Sequence, residues 1–163
     1  MKNNNMLDLI AEIEDELILL ETLAEEIESV WSSLPRNKRT RKIHEESVAL
    51  KLHNFYTGCE RIFKRISDDI NGGTPATADW HKRLMHRMTL EIKDVRPPVL
   101  SKETEKILNE FLAFRHIVRN IYGFQIESDR LSALVNKFPK IFIAFRKEIQ
   151  MFIIFLKKLS SRK

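Results

Sequence analysis

Residues 101–122 read SKETEKILNEFLAFRHIVRNIY, and the spacing within them decides the fold class. Ser101 is a good helix N-cap, and Glu103 and Glu105 put negative charge in a first turn where the helix dipole favours it. Thr104, Ile107, Leu108, Phe111, Phe114, Val118 and Ile121 then recur three or four apart, which is one apolar stripe of a helix over about 101–122. Gly123 loosens its end.

The same period extends in both directions. Upstream, VRPPVLS breaks the chain, because Pro97 and Pro98 disfavour helix in the residues before them. A shorter helix is predicted over about 77–94, capped by Thr77 or Asp79 and carrying Trp80, Leu84, Met88 and Ile92 at four-residue steps. Asn71-Gly72-Gly73-Thr74-Pro75 closes a long helix over about 38–70, whose stripe is Val48, Leu52, Phe55, Tyr56, Cys59, Ile62, Phe63 and Ile66. The basic run PRNKRTRK separates it from a first helix over about 6–33, where Leu9, Ile13, Leu17, Leu20, Ile27, Val30 and Trp31 alternate with acids. Downstream, a last helix over about 128–158 holds Phe138, Phe142, Phe145, Phe152 and Phe155, with Pro139 expected to kink it. Its aromatic content exceeds what one small bundle must bury, which points to a symmetric dimer or a partner on that face.

Composition agrees. A chain of 163 residues, 43% apolar and 31% charged, suits one domain over 1–163, and four Gly with five Pro are too few for the many tight turns of a sandwich or barrel. An all-α bundle of five helices is expected. Cys59 is the single cysteine, which removes any internal disulfide or cysteine-based zinc site. The opening turns acidic before an apolar run develops, so a reducing, cytoplasmic setting is expected. Near the end, the charge-free stretch 149–156 is far shorter than the roughly 18 residues of a membrane span.

Net charge is +5 but unevenly distributed: residues 1–33 carry nine acids against Lys2, a balance of −8 that leaves +13 on the rest. Such a basic field attracts a polyanion such as RNA or an acidic partner, and is equally answered by the acidic first helix folding over basic ones.

Most catalytic templates are absent, including a Gly-rich phosphate loop, G-x-S-x-G and H-E-x-x-H. His44, His53, His81, His86 and His116 are scattered, and His81 and His86 lie five apart on different sides of a helix, so no metal site is expected. Cys59, among Tyr56, Ile62 and Phe63, reads as a small core residue. The segment FLAFRHIVRNIYGFQIESDRL, residues 111–131, is different. On a helix at 100° per residue, Arg115, Arg119 and Tyr122 fall within about 60° of one another, and His116 and Asn120 line the adjacent flank. Guanidinium groups bind phosphate, imidazole transfers protons near neutral pH, and a phenol accepts a phosphoryl-type group. The same residues also suit a structural helix whose arginines pair with a neighbour's carboxylates.

Arg115-His116-Ile117-Val118-Arg119-Asn120-Ile121-Tyr122 resembles the signature of the HEPN superfamily, specifically the HepT-like ribonuclease toxins. LKLHNFYTGCERIFKRI, ADWHKRLMHRM, the RPPVLS loop and ESDRL resemble the same arrangement, so the likeness covers most of residues 45–140. It implies a HEPN-like up-and-down bundle and a cytoplasmic homodimer that cuts RNA without metal or cofactor. Arg115 and Arg119 would then bind RNA, Arg115 would stabilise the phosphate, His116 would carry protons and Asn120 would position the substrate. It further implies a minimal nucleotidyltransferase antitoxin as partner, attaching AMP to Tyr122. One position departs: Asn120 stands where the family pattern has His, and an amide cannot act as general acid or base, so weak activity is expected. A non-catalytic HEPN-like module that binds RNA or protein is the alternative. A helical interaction protein docking through its first and last helices is a third reading.

Overall fold

The computed structural model describes residues 3–161, and the apolar stripes close on one another as five helices. These are α1 (Asn3–Ser32), α2 (Lys38–Ile70), α3 (Trp80–Met88), α4 (Lys102–Asn120) and α5 (Ser128–Ser160), with a 3-10 turn at Gly123–Gln125. Helix α2 touches the other four. Every residue of its expected stripe is buried, from Val48 to Ile66. Phe55 is the hub of an aromatic cluster, meeting Phe111, Phe138 and Phe145 edge-on at centroid distances of 5.6, 5.0 and 6.1 Å. Such pairs add about 0.5–1.5 kcal/mol beyond the burial of their area.

This cluster consumes most of the aromatic surface of α5. Phe138, Phe145 and Phe152 are buried, and the large apolar side chains that α5 leaves exposed are Ile143, Met151 and Ile154. The excess is therefore aliphatic rather than aromatic. No helix among the described residues is long and apolar enough to cross a membrane.

Helix α1 lies close against α2 because Gly58 has no side chain. A Cβ there would fall 2.5 Å from Leu20 Cδ2 and 3.0 Å from Glu16 Oε1. The acids of α1 then reach basic partners on two helices. Glu16 meets Arg61 at 3.3 Å, Glu12 meets Arg65 and Glu26 meets Lys51 on α2, while Glu21 meets Arg146 at 2.8 Å and Glu14 meets Lys157 at 2.7 Å on α5. Much of the charge asymmetry of the sequence is thus answered inside the chain.

Helix α2 starts and ends where the sequence places it, and boundaries depart from the expectation for α3 and α4. The start at Lys38 is set by Asn37, whose side chain accepts from the backbone N–H of Arg39 and Thr40, so the end of PRNKRTRK already lies in α2. Helix α3 is nine residues long and does not reach Asp94. Its exit is set by buried Arg96, whose guanidinium donates to Asn71 Oδ1 and to the carbonyls of Arg87, Leu90 and Pro97 at 2.9–3.0 Å. Val99 and Leu100 donate to Met88 O, folding RPPVLS back over the end of α3, and Asp94 takes a left-handed φ of 62° in the bend. The motif helix, in turn, stops at Asn120, and Ile121 is extended at φ −128°, ψ 161°. Tyr122 therefore lies outside the helix, and the angular proximity to Arg115 and Arg119 expected of it does not apply. Helix α5 continues through Pro139.

Candidate functional site

Helix α4 is anchored at its start. Ser101 Oγ accepts from Thr104 N–H as expected of an N-cap, and Glu148 of α5 accepts from Ser101 N–H and from Thr104 Oγ1. Leu108, Phe111, Leu112 and Phe114 are buried against α2 and α5, and the buried face continues into Arg115, which is only 8% exposed. A cation on the inward face of a helix needs partners. Arg115 Nε donates to Thr57 Oγ1 at 3.3 Å, and Nη2 lies 3.9 Å from Glu60 Oε1, both on α2. Arg115 Nη1 is buried without a hydrogen-bond partner among the described residues.

Glu60 is itself buried and faces two elements. Its second oxygen accepts a hydrogen bond from His81 Nδ1, at the start of α3. His81 stacks on Trp80 at 3.6 Å, and Lys64 of α2 sits 4.2 Å over the ring centre of the same Trp80. The far side of His81 meets His116 edge-on, ring centroids 5.7 Å apart and planes 80° apart. Arg115, Glu60, His81 and His116 thus form a chain of charged and titratable groups where α2, α3 and α4 meet.

The electrostatics there are net positive. Burial first, then His81, Arg115 and Arg119, holds His116 below the ordinary imidazole range, with Glu60 opposing. Burial and the charges of Arg115 and Arg119 likewise lower His53. Burial first, and then Glu60, pushes the phenol of Tyr56 up. Arg119 is exposed and has no carboxylate partner among the described residues. Between α3 and α4, Lys82, Arg83, His86 and Arg87 line a depression of about 390 Å³ together with Glu105 and Asn109. Cys59 is buried and its thiol is pushed well up by burial, which removes it as a thiolate nucleophile.

The remaining motif residues stand apart from this chain of contacts. The Asn120 amide donates to His116 O at 2.6 Å, within its own last helical turn. Tyr122 is 73% exposed and lies parallel to Phe124 at 5.6 Å, its N–H donating to Gln125 Oε1. Gly123 permits the turn to lie against α2, since a Cβ there would sit 2.9 Å from Glu46 Oε2.

Sequence reasoning missed Thr57, Glu60 and His81. Glu60 carried a signal: it falls four after Tyr56 and three before Phe63, a carboxylate within a stripe destined for burial. His81 carried none, because its pairing with Glu60 depends on where α3 docks.

An all-α bundle that holds an arginine inward and a histidine beside it on one helix, at a junction with two others, is the architecture expected of a HEPN-type protein. The chain belongs to the HepT-like family, whose model, described as HepT-like protein, matches residues 47–156, about two-thirds of its length. Helix α1 lies outside that match. No curated protein and no solved structure matches the chain significantly.

Proposed function

We propose that this chain is an endoribonuclease toxin of the HEPN type, one domain over 1–163, that cleaves RNA without metal or cofactor. The observation that carries this reading is Arg115, held inward with an unpartnered Nη1 and sharing Glu60 with His81, whose ring meets that of His116. Arg115 binds the scissile phosphate and stabilises its transition-state charge, Arg119 adds a phosphate contact, and His116 carries a proton. Asn120 is a positioning group for the last turn of α4 through its bond to His116 O.

The exposure of Tyr122 on a turn suits modification by a minimal nucleotidyltransferase antitoxin, which attaches AMP to its phenol. Exposed Ile143, Met151 and Ile154 on α5, with Ile18 and Leu19 on α1, support a homodimer. Light scattering at tens of micromolar distinguishes that dimer from a monomer.

A second reading has its own observation: the Asn120 amide is engaged by a backbone carbonyl, so the motif position supplies no titratable group. That suits a HEPN-like module that binds RNA or protein without cutting. RNA incubated with the chain and a chelator decides between them. Cleavage that rises in Asn120→His supports the ribonuclease. Binding without cleavage in the parent and in Asn120→His, both folded by circular dichroism, supports the module.

A further inference from the structure

We propose that His81 is a second proton-transfer residue of this site, the general acid opposite His116, and that Glu60 is its positioning residue. The assignment rests on the ribonuclease reading above and deepens it. His81 lies on α3, more than thirty residues before Arg115, and it reaches the motif through contacts with Glu60 and His116 that the chain's spacing does not encode.

The geometry specifies which nitrogen acts. A carboxylate oxygen accepts, so the hydrogen bond to Glu60 is made with a hydrogen on His81 Nδ1. This leaves Nε2, which has no partner among the described residues, as the nitrogen that exchanges a proton with a bound group. Trp80 stacked on one face holds the ring plane, and a buried Glu60 shared with Arg115 holds its tilt. A carboxylate that orients an imidazole through Nδ1 is a recurrent catalytic device.

The two histidines face different charges. From α2 His81 meets Glu60, with Lys64 lying over Trp80, and from α4 it meets His116. His116 faces Arg115, Arg119 and His81, with Glu60 the opposing charge. A neutral imidazole among cations is suited to accept a proton, and an imidazole whose Nδ1–H is held by a carboxylate has Nε2 fixed in place for exchange with a bound group. The downward shift of His116, caused first by burial and then by those cations, agrees with the accepting role.

In the step this supports, the ribose 2′-oxygen attacks phosphorus and its proton passes to His116. The O2′–P bond forms, the P–O5′ bond breaks, and the departing O5′ takes the Nε2 proton of His81, which enters the step as imidazolium and leaves it as the neutral ring with its hydrogen on Nδ1. The products are a 2′,3′-cyclic phosphate and a 5′-hydroxyl, so the balance needs no further reactant. Arg115 stands at the phosphate throughout. Asn120 then marks a motif whose titratable group has been replaced from another helix.

The test uses the full chain and a mixed-sequence single-stranded RNA, with chelator, to find a linkage that the parent cuts. The same RNA is then made with sulfur in place of the bridging 5′-oxygen at that linkage, because a thiolate leaves without being protonated. His81→Gln is expected to lose about 10²-fold or more on the oxygen RNA, the range of general acid catalysis, and to stay within a few-fold of the parent on the sulfur RNA. His116→Ala is expected to be slow on both. Glu60→Gln keeps an acceptor for Nδ1, so it should fall less than His81→Gln and regain its rate on the sulfur RNA. Circular dichroism melts establish that each variant is folded. Equal losses on both RNAs for His81→Gln, or no loss on either, overturn the acid assignment while the ribonuclease reading stands. A Glu60→Gln loss that sulfur does not restore overturns the positioning role, assigning Glu60 to Arg115 instead. A folded parent that cuts no RNA overturns the ribonuclease reading and this inference with it.

Discussion

The two sides of α2 treat positive charge in opposite ways. On the α1 side, Lys51, Arg61 and Arg65 each meet a carboxylate of α1, and Arg146 and Lys157 of α5 do the same. On the α3–α4 side, Arg115 shares Glu60 with His81, and Arg119, Lys82 and Arg83 have no carboxylate partner among the described residues. The α1 side answers its cations with its own acids, so its field is spent within the chain. The unanswered field faces outward at the junction of α3 and α4, where an anionic ligand supplies the missing charge.

The largest effect that would break this contrast is catalytic. Arg115→Ala is expected to reduce RNA cleavage by about 10²–10³-fold, the range for removing one transition-state donor, whereas Arg61→Ala on the α1 side leaves the rate unchanged. Gel-based cleavage rates on both variants check it, and equal losses would erase the distinction between the two sides.

A stability effect sharpens the other half. Gly58→Ala drives a methyl group into Leu20 and Glu16, and overpacking of this kind costs about 1–3 kcal/mol. Urea denaturation should show the loss, with Leu20→Ala in the same chain recovering part of it. An unchanged midpoint would mean that α1 is not held at that distance.

Binding gives a smaller, salt-dependent signature. Arg119→Ala is expected to weaken RNA binding and to lower the slope of log affinity against log salt by about one, as the loss of one phosphate contact does. Arg65→Ala, already paired with Glu12, should leave the slope alone. A salt titration by fluorescence anisotropy separates the two.

The smallest effect is the pH dependence of stability. His53 is held below its ordinary value of 6.5 by burial and by Arg115 and Arg119. The unfolded chain therefore binds the proton first as pH falls, so the stability linked to His53 is complete above 6.5 and is lost through the window beneath it. His116 acts in the same sense. The thermal midpoint of the parent should drop between about pH 7 and pH 5 more steeply than that of His53→Gln. Parallel curves would remove the field of the two arginines as its cause.

Helix boundaries were legible where a local signal marked them. Ser101 caps α4, and Asn71 to Pro75 ends α2 at Ile70, because capping and chain breaking depend on neighbours in sequence. The short α3 was not legible: its end is set by Arg96 reaching back to Asn71, Arg87 and Leu90, contacts that spacing does not encode. The place of Tyr122 failed for a related reason. Helical geometry was extended two residues past Asn120, where the Gly123–Gln125 turn takes over.

By itself, the sequence determined an all-α chain, its five helices, the break at Pro97 and Pro98, and the cluster of Arg115, His116 and Arg119, because each rests on periodicity or on residues a few positions apart. The tertiary structure alone decided which of the scattered histidines matter and where the positive field is left open. Both depend on helix docking: α1 laid along α2 and α5 neutralises one side, and α3 laid beside α4 brings His81 and Glu60 to Arg115 and His116. Distances between helices are set by side-chain packing across the whole core, including the missing Cβ of Gly58 and the Phe55 cluster, and no local pattern in the chain carries that information.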